Sequence, residues 1–168
     1  MGNGIDDIMQ FDKIITDDNF IGFVTEMVEA SVTQFAMTVY YMNPRFTRKN
    51  NDVKLFCEAL VHAVKRKVDV KILFNTPAPR SILTRGQKAA FSFLQANGVP
   101  VKHSDSRRTT HAKFLLSDGK NIVIGSHNFS QASLHRNREV SISLANEDLY
   151  SQLLCYFLDS YHKAEEKW

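Results

Sequence analysis

Residues 111–128, "HAKFLLSDGKNIVIGSHN", contain two apolar runs with a turn signal between them. Asp118-Gly119 is a dipeptide typical of tight turns, so the two runs are predicted to pair as an antiparallel hairpin. Alternate residues of a strand point to the same face. His111 and Lys113 are therefore predicted to project together from the first strand.

Polar side chains also close the hairpin. Ser126 and Asn128 follow the second apolar run, and strand pairing brings them close to His111 and Lys113. An imidazole, an ammonium, a hydroxyl and an amide in one place suit a tetrahedral oxyanion. Lys113 supplies charge, and Ser126 and Asn128 supply hydrogen-bond donors. His111 can act as a nucleophile or a proton carrier, so the hairpin is the candidate catalytic site.

Outside the hairpin, short apolar runs alternate with amphipathic segments of helical length. Helices are predicted at 18–30, 52–67, 84–97, 129–137 and 146–168. Strands are predicted at 33–42, 68–74, 99–104, 111–117, 121–126 and 139–145. This alternation predicts an α/β fold with a mixed, mostly parallel sheet sandwiched by helices.

Composition and charge indicate how the chain is organised into domains and in which cellular compartment it is expected. The 168 residues, 43% hydrophobic and 23% charged, fit a soluble globular protein with a single domain, predicted at 18–168 after an N-terminal extension at 1–17. The acidic N-terminus lacks the basic start and apolar region of a signal peptide, and no apolar run reaches the length of a membrane span. We therefore expect a cytoplasmic protein without stable membrane association.

Basic residues in the predicted loops are candidates for binding an anionic substrate. In α/β sheets, ligands gather beyond the carboxyl ends of the strands, and the formal net charge of +3 permits a polyanionic partner. Solvated surface charge is the alternative reading for each residue. The candidate substrate-binding residues are Arg45, Arg80, Arg107 and Arg108.

The spacing of the polar residues resembles the signature of the phospholipase D superfamily. The pattern H-x-K-x(4)-D-x(6)-G-S-x-N is filled by His111, Lys113, Asp118, Gly125, Ser126 and Asn128. Glu139 follows Asn128 by eleven residues, as a glutamate does in the small nucleases of the family. The chain carries one copy of the motif, so it resembles the bacterial metal-independent endonucleases that complete their site by forming a homodimer. Asp118, in the turn, is expected to be structural.

The resemblance implies a role for each of the other residues. One His111 attacks phosphorus and forms a phosphohistidine. The His111 of the partner subunit protonates the leaving oxygen and then activates water. Lys113 and Asn128, with Ser126 nearby, bind the non-bridging oxygens. Glu139 holds the imidazole N–H of a His111, as the acidic member of a triad does.

Three histidines outside the motif are candidates for a metal site. His103, His127 and His135 have no zinc-ligand spacing, and a lysine beside His111 would repel a cation, so no metal or cofactor is expected.

The leading hypothesis for the function is a nuclease acting on DNA or RNA, with the nucleic acid as substrate. The alternatives are a phospholipid hydrolase or transferase of the phospholipase D or cardiolipin type, and a non-catalytic nucleic-acid-binding module.

Overall fold

Seven strands and five helices make up the part of the chain described by the computed structural model, residues 10–48, 51–78, 81–104 and 108–168. The strands are β1 (Lys13–Thr16), β2 (Gln34–Val39), β3 (Asp69–Phe74), β4 (Val101–His103), β5 (Phe114–Ser117), β6 (Asn121–Gly125) and β7 (Val140–Ala145). The helices are α1 (Asn19–Ala30), α2 (Asp52–Lys65), α3 (Thr84–Ala96), α4 (Gln131–His135) and α5 (Glu147–His162).

The strands form one sheet in the order β1-β7-β6-β5-β2-β3-β4. Strands β2, β3 and β4 are parallel, because α2 and α3 return the chain to the same edge between them. Strand β5 lies antiparallel to β2 on its other side, and β6, β7 and β1 continue from it with antiparallel pairing. The mixed α/β class predicted from the sequence is confirmed.

The predicted balance of strand directions is wrong, because four of the six pairings among the described residues are antiparallel. Connection length explains only the β5–β6 pairing, because its three-residue turn, 118–120, is too short for the crossover of a dozen or more residues that a parallel return needs. The other antiparallel pairings depend on which strand each one meets in the folded sheet, which sequence periodicity does not encode. Strand β1 was not predicted. Its residues 13–16, assigned from the sequence to the N-terminal extension, pair with β7 at the edge of the sheet.

Helices cover both faces of the sheet with apolar side chains. On one face, α1, α2 and α3 bury residues such as Val24, Phe56 and Phe91 against the alternate residues of β2 and β3. On the other face, Phe157 of α5 joins a second cluster with Phe114. Two packed faces fix the register of the central strands, because a slip of one residue would exchange their buried sides. None of the helices in the described ranges is long and apolar enough to cross a bilayer.

The turn of the β5–β6 hairpin is tied to the chain that enters β2. Asp118 and Gly119 both have positive φ angles, of 50° and 78°. The Asp118 carboxylate accepts hydrogen bonds from the backbone N–H groups of Val32, Thr33 and Gln34, and from the Thr33 hydroxyl. Burial alone would raise the pKa of Asp118, but these donors outweigh it and lower the pKa. Asp118 thus links the hairpin to the central strand at the edge of the sheet opposite His111.

Gly125 permits the close approach of β6 and β7. A Cβ atom there would collide with the backbone of Val140 and Ser141 on the neighbouring strand. With glycine in place, the Gly125 N–H reaches the carbonyl of Lys113 at 3.2 Å, and the Ser126 N–H reaches that of Val140 at 2.9 Å. The glycine of the motif therefore brings Ser126 alongside both the lysine and the start of β7.

Candidate active site

Apart from Asp118, the motif residues meet at one end of the strands, which we call the site edge. It is the edge where β2 and β6 end and where β5 and β7 begin, because β5 and β7 run antiparallel to their neighbours. Short segments just outside the strands carry the polar side chains to this edge. These side chains belong to Tyr40, His111, Lys113, Ser126, Asn128 and Glu139.

His111 and Lys113 form a close pair just before β5. The Lys113 Nζ lies 3.5 Å from the His111 Nε2 and donates a hydrogen bond to the His111 carbonyl at 2.8 Å. The strand begins at Phe114, three residues later than predicted, so the pair lies in the connection that enters the strand. His111 is exposed, while Lys113 is half-buried. The imidazole is therefore open to a substrate, and the ammonium lies beside it.

Tyr40 packs against both members of this pair. It follows β2 directly, and its ring centroid lies 4.4 Å from that of His111 with an interplanar angle of 64°, an edge contact. The Lys113 Nζ lies over the same ring, 4.8 Å from its centroid. Such a position is favourable for a cation, because the face of the ring carries negative charge. Tyr40 therefore contacts the imidazole and the ammonium at once.

Glu139 is held by hydrogen bonds from three polar side chains at the site edge. Its carboxylate accepts hydrogen bonds from the Ser126 hydroxyl, from the Ser133 hydroxyl at 3.0 Å and from the Asn137 amide at 3.0 Å. Burial alone would raise the pKa of Glu139, but the hydrogen bonds from these three side chains outweigh it and lower the pKa. Glu139 thus carries its negative charge at neutral pH.

The charge of Glu139 acts on Lys113. Burial lowers the pKa of the Lys113 ammonium, and the negative charge of Glu139 opposes that effect without cancelling it. The site therefore presents a fixed cation at its centre, and the pH at which this cation is lost lies below that of an ordinary lysine.

Asn128 presents an amide at the same edge. Its backbone N–H donates to the Ser133 hydroxyl at 2.7 Å, so Ser133 connects Asn128 with Glu139. The side-chain oxygen of Asn128 is buried and finds no hydrogen-bond partner among the described residues. Because that oxygen is an acceptor, only the Nδ2 of the amide can donate to a phosphoryl oxygen. Asn128 is thus held in place by its backbone.

The histidines weighed as metal ligands are engaged separately. The Nε2 of His127 donates to the Asp17 carbonyl at 3.0 Å, so its Nδ1 accepts from the Ser141 hydroxyl at 2.8 Å. Burial lowers the pKa of His127.

The other two histidines have different partners. The Nε2 of His135 lies 2.9 Å from an Asp52 carboxylate oxygen, and the Nδ1 of His103 lies 3.0 Å from the Thr76 hydroxyl. Within the described ranges, no three His, Cys, Asp or Glu side chains gather as a metal-ligand group.

The candidate substrate-binding arginines are placed only in part. Arg45 and Arg108 are exposed and lie in the loops that leave β2 and enter β5, both on the site edge. Arg80 and Arg107 lie outside the described residues. Two exposed basic side chains therefore lie in loops at the site edge.

Three contributors to the site were not assigned to it from the sequence. Tyr40 lies within a buried strand pattern, which favoured a core role, and Ser133 and Asn137 belong to the helical segment predicted at 129–137, outside the motif. The contact of Tyr40 joins distant elements, whereas Ser133 and Asn137 lie six and two residues before Glu139. The one available signal was the position of Tyr40 near the carboxyl end of the strand predicted at 33–42, where ligand-contacting residues concentrate.

The chain belongs to the phospholipase D-like family, since the family model described as "Cardiolipin synthase, PLD-like domain" matches residues 24–161. The cardiolipin synthase of Geobacillus sp. strain WCH70 is 27% identical over 135 residues, which are 80% of this chain and 26% of that protein. The cardiolipin synthase of Geobacillus thermodenitrificans is 24% identical over 141 residues, 84% of this chain and 27% of that protein. The chain thus spans about a quarter of the length of these curated relatives.

Two solved structures share the fold of this chain. Nuc from Salmonella typhimurium, a phospholipase D family member, superimposes with a TM-score of 0.76 at 22% identity, over 91% of this chain and 96% of that one. NucT from Helicobacter pylori gives a TM-score of 0.65 at 12% identity, over 92% and 97% of the two chains. The resemblance stated from the motif is confirmed at the level of the family and the fold.

Proposed function

We propose that the protein is a phosphodiesterase, most specifically a metal-independent nuclease that cleaves DNA or RNA through a phosphohistidine. The observation that carries the proposal is the placement of the Lys113 ammonium 3.5 Å from the Nε2 of an exposed His111. An ammonium in that position neutralises the non-bridging oxygens of a phosphodiester while the imidazole attacks its phosphorus. The ammonium has three donors, of which one goes to the His111 carbonyl and a second faces the His111 Nε2, so the third is free for the substrate.

The reaction takes two displacements at phosphorus. In the first, the Nε2 of His111 forms a bond to phosphorus, and the bond to the leaving oxygen breaks as that oxygen takes a proton from the His111 of a partner subunit. In the second, the partner imidazole, now neutral, accepts a proton from water while the water oxygen displaces His111 from phosphorus. Lys113 and Asn128 hold the phosphoryl oxygens in both steps.

Glu139 fits the role of orienting an imidazole from the partner subunit. Three of its acceptor positions are filled by Ser126, Ser133 and Asn137, and a carboxylate has about four. No hydrogen bond joins it to the His111 of the same chain among the described residues, so the remaining position is open to the partner's imidazole N–H. A lowered pKa keeps the carboxylate an acceptor at neutral pH. Ser126, whose hydroxyl hydrogen is committed to Glu139, positions the carboxylate rather than the phosphate.

Nucleic acid is the substrate favoured by the charges at the site edge. Arg45 and Arg108 are exposed in loops at the site edge, where they are available to the phosphates that neighbour the scissile one along a nucleic-acid chain. A phospholipid hydrolase or transferase is the second candidate, favoured by the cardiolipin synthase names of the matching family model and relatives.

Phosphodiester cleavage should survive an excess of EDTA, because Lys113 supplies the positive charge that a metal ion would otherwise provide. The measurement compares single- and double-stranded DNA, RNA and labelled phosphatidylglycerol vesicles as substrates in EDTA, with His111→Asn as the blank. We expect the nucleic acids to be cleaved. Turnover of the lipid alone would favour the second candidate, and binding of DNA without cleavage would favour a non-catalytic module. Loss in EDTA with recovery in Mg²⁺ or Zn²⁺ would contradict the mechanism.

Activity per subunit should fall on dilution, because the proposed site needs a His111 from each of two copies. Light scattering should give a dimer at the concentrations where the enzyme is fully active. An excess of His111→Asn protein mixed with wild type should suppress activity below simple dilution, since mixed dimers lack one of the two imidazoles. A monomer with full activity independent of concentration would overturn the shared site.

A further inference from the structure

We propose that Tyr40 is a positioning residue that holds the Lys113 ammonium beside the His111 imidazole through its aromatic ring, not through its hydroxyl. The inference rests on the proposed function for the roles of these two side chains. Its basis is a three-way contact. The ring lies 4.4 Å from the imidazole and 4.8 Å from the ammonium, measured from its centroid, while the ammonium and the Nε2 are 3.5 Å apart.

The contact is built into the backbone of the central strands. Tyr40 directly follows β2, whose neighbour β5 begins just after Lys113, so the pairing of the two strands sets the position of the ring. The segment after β2 is fixed in turn by backbone hydrogen bonds to the chain after β6, between Tyr41 and Phe129 at 3.0 Å and between Asn43 and Phe129 at 2.8 Å. The ring is therefore held by the same sheet that presents the motif.

The two contacts have different physical effects. The edge contact with His111 restricts rotation of an otherwise exposed imidazole, which keeps its Nε2 turned toward the ammonium. The face contact stabilises the charged form of Lys113, by an amount typical of a half-buried cation over an aromatic ring. Burial opposes the charge of Lys113, so the ring and Glu139 act together to preserve it. Tyr40 thereby supports both the geometry and the charge that the chemistry requires.

Three variants distinguish the effect of the Tyr40 ring from the effect of its hydroxyl and from the general effect of losing a tyrosine in this segment. Tyr40→Phe keeps the ring, Tyr40→Leu keeps an apolar side chain without a π-face, and Tyr41→Leu removes the neighbouring tyrosine. Tyr40→Leu should lower kcat about tenfold with KM changed less than about twofold. Tyr40→Phe and Tyr41→Leu should keep kcat within about twofold of wild type.

The deciding readout is the NMR titration of the Lys113 amine in protein carrying ¹⁵N-labelled lysine. Lys113 should titrate at a lower pH in Tyr40→Leu than in wild type, Tyr40→Phe and Tyr41→Leu. A wild-type titration and wild-type kcat in Tyr40→Leu, or an equal loss in Tyr40→Phe or Tyr41→Leu, would overturn the inference. The titration requires no turnover, so it tests the contact even if the wild-type protein cleaves no phosphodiester and the proposed function fails.

Discussion

His111→Asn is expected to reduce kcat by about 10⁴-fold or more, because it removes both the nucleophile and the proton donor of a site shared by two copies. Asparagine is close to histidine in polarity and size but cannot form the phosphorylated intermediate. The fold should be unaffected, since His111 is exposed and precedes the first residue of β5. The measurement is single-turnover cleavage at saturating enzyme, together with the thermal unfolding midpoint.

His62→Asn is the matched control for this variant. His62 is also exposed but lies in the last turn of α2, away from the site edge. It should keep wild-type kcat and stability. A His111→Asn protein that is folded and retains more than about a hundredth of wild-type kcat would contradict a nucleophilic role for His111.

Lys113→Met is expected to reduce kcat by about 10³-fold, because it removes the cation that stabilises the developing charge on the phosphoryl oxygens. Methionine keeps most of the apolar stem that packs in the half-buried position. The loss should appear in kcat more than in KM, since the charge on these oxygens is stabilised most strongly in the transition state. Lys120→Met is the control, because Lys120 is an exposed lysine in the hairpin turn at the opposite edge of the sheet.

The pH dependence of kcat provides a second, independent test of the role of Lys113. Burial lowers the pKa of Lys113, so the ammonium is lost as the pH rises through a value below the ordinary 10.5 of lysine. Wild-type kcat should therefore fall on the alkaline side, starting below that pH. The residual activity of Lys113→Arg should not show this fall, because a guanidinium stays charged over the whole range. An identical alkaline limb in wild type and Lys113→Arg would exclude Lys113 as its source.

The sequence predicted the parts of the fold that depend on local pattern. The helices at 19–30 and 52–65 and the hairpin around Asp118 correspond closely to the predicted segments, because apolar periodicity, capping residues and the turn dipeptide encode them locally. The directions of β5, β7 and β1 depend on which distant strand each one pairs with. Sequence periodicity does not encode that choice, so the sheet was predicted with too many parallel pairings.

Part of the candidate site was likewise predictable from the sequence. The motif spacing placed His111, Lys113 and Ser126 on one hairpin, because the pairing of its two strands brings these residues close together. The hydrogen bonds that Glu139 accepts from Ser133 and Asn137 are local, but they depend on the conformation of the segment between β6 and β7, which the motif does not describe. The ring of Tyr40 reaches the site through the pairing of β2 with β5. This last contact joins residues far apart in the chain, and only the structure places it.

The central claim is that His111 becomes covalently bonded to phosphorus during turnover. It is tested most directly by mixing the protein with bis(4-nitrophenyl) phosphate, quenching in alkaline denaturant at millisecond intervals and mapping the peptides by mass spectrometry. We predict a 4-nitrophenyl phosphoryl group on His111 that appears with the first 4-nitrophenol released, decays as the monoester forms, and is absent in His111→Asn. Release of 4-nitrophenol and monoester by the wild-type protein with no adduct at any interval, or with the adduct on another residue, would contradict the account.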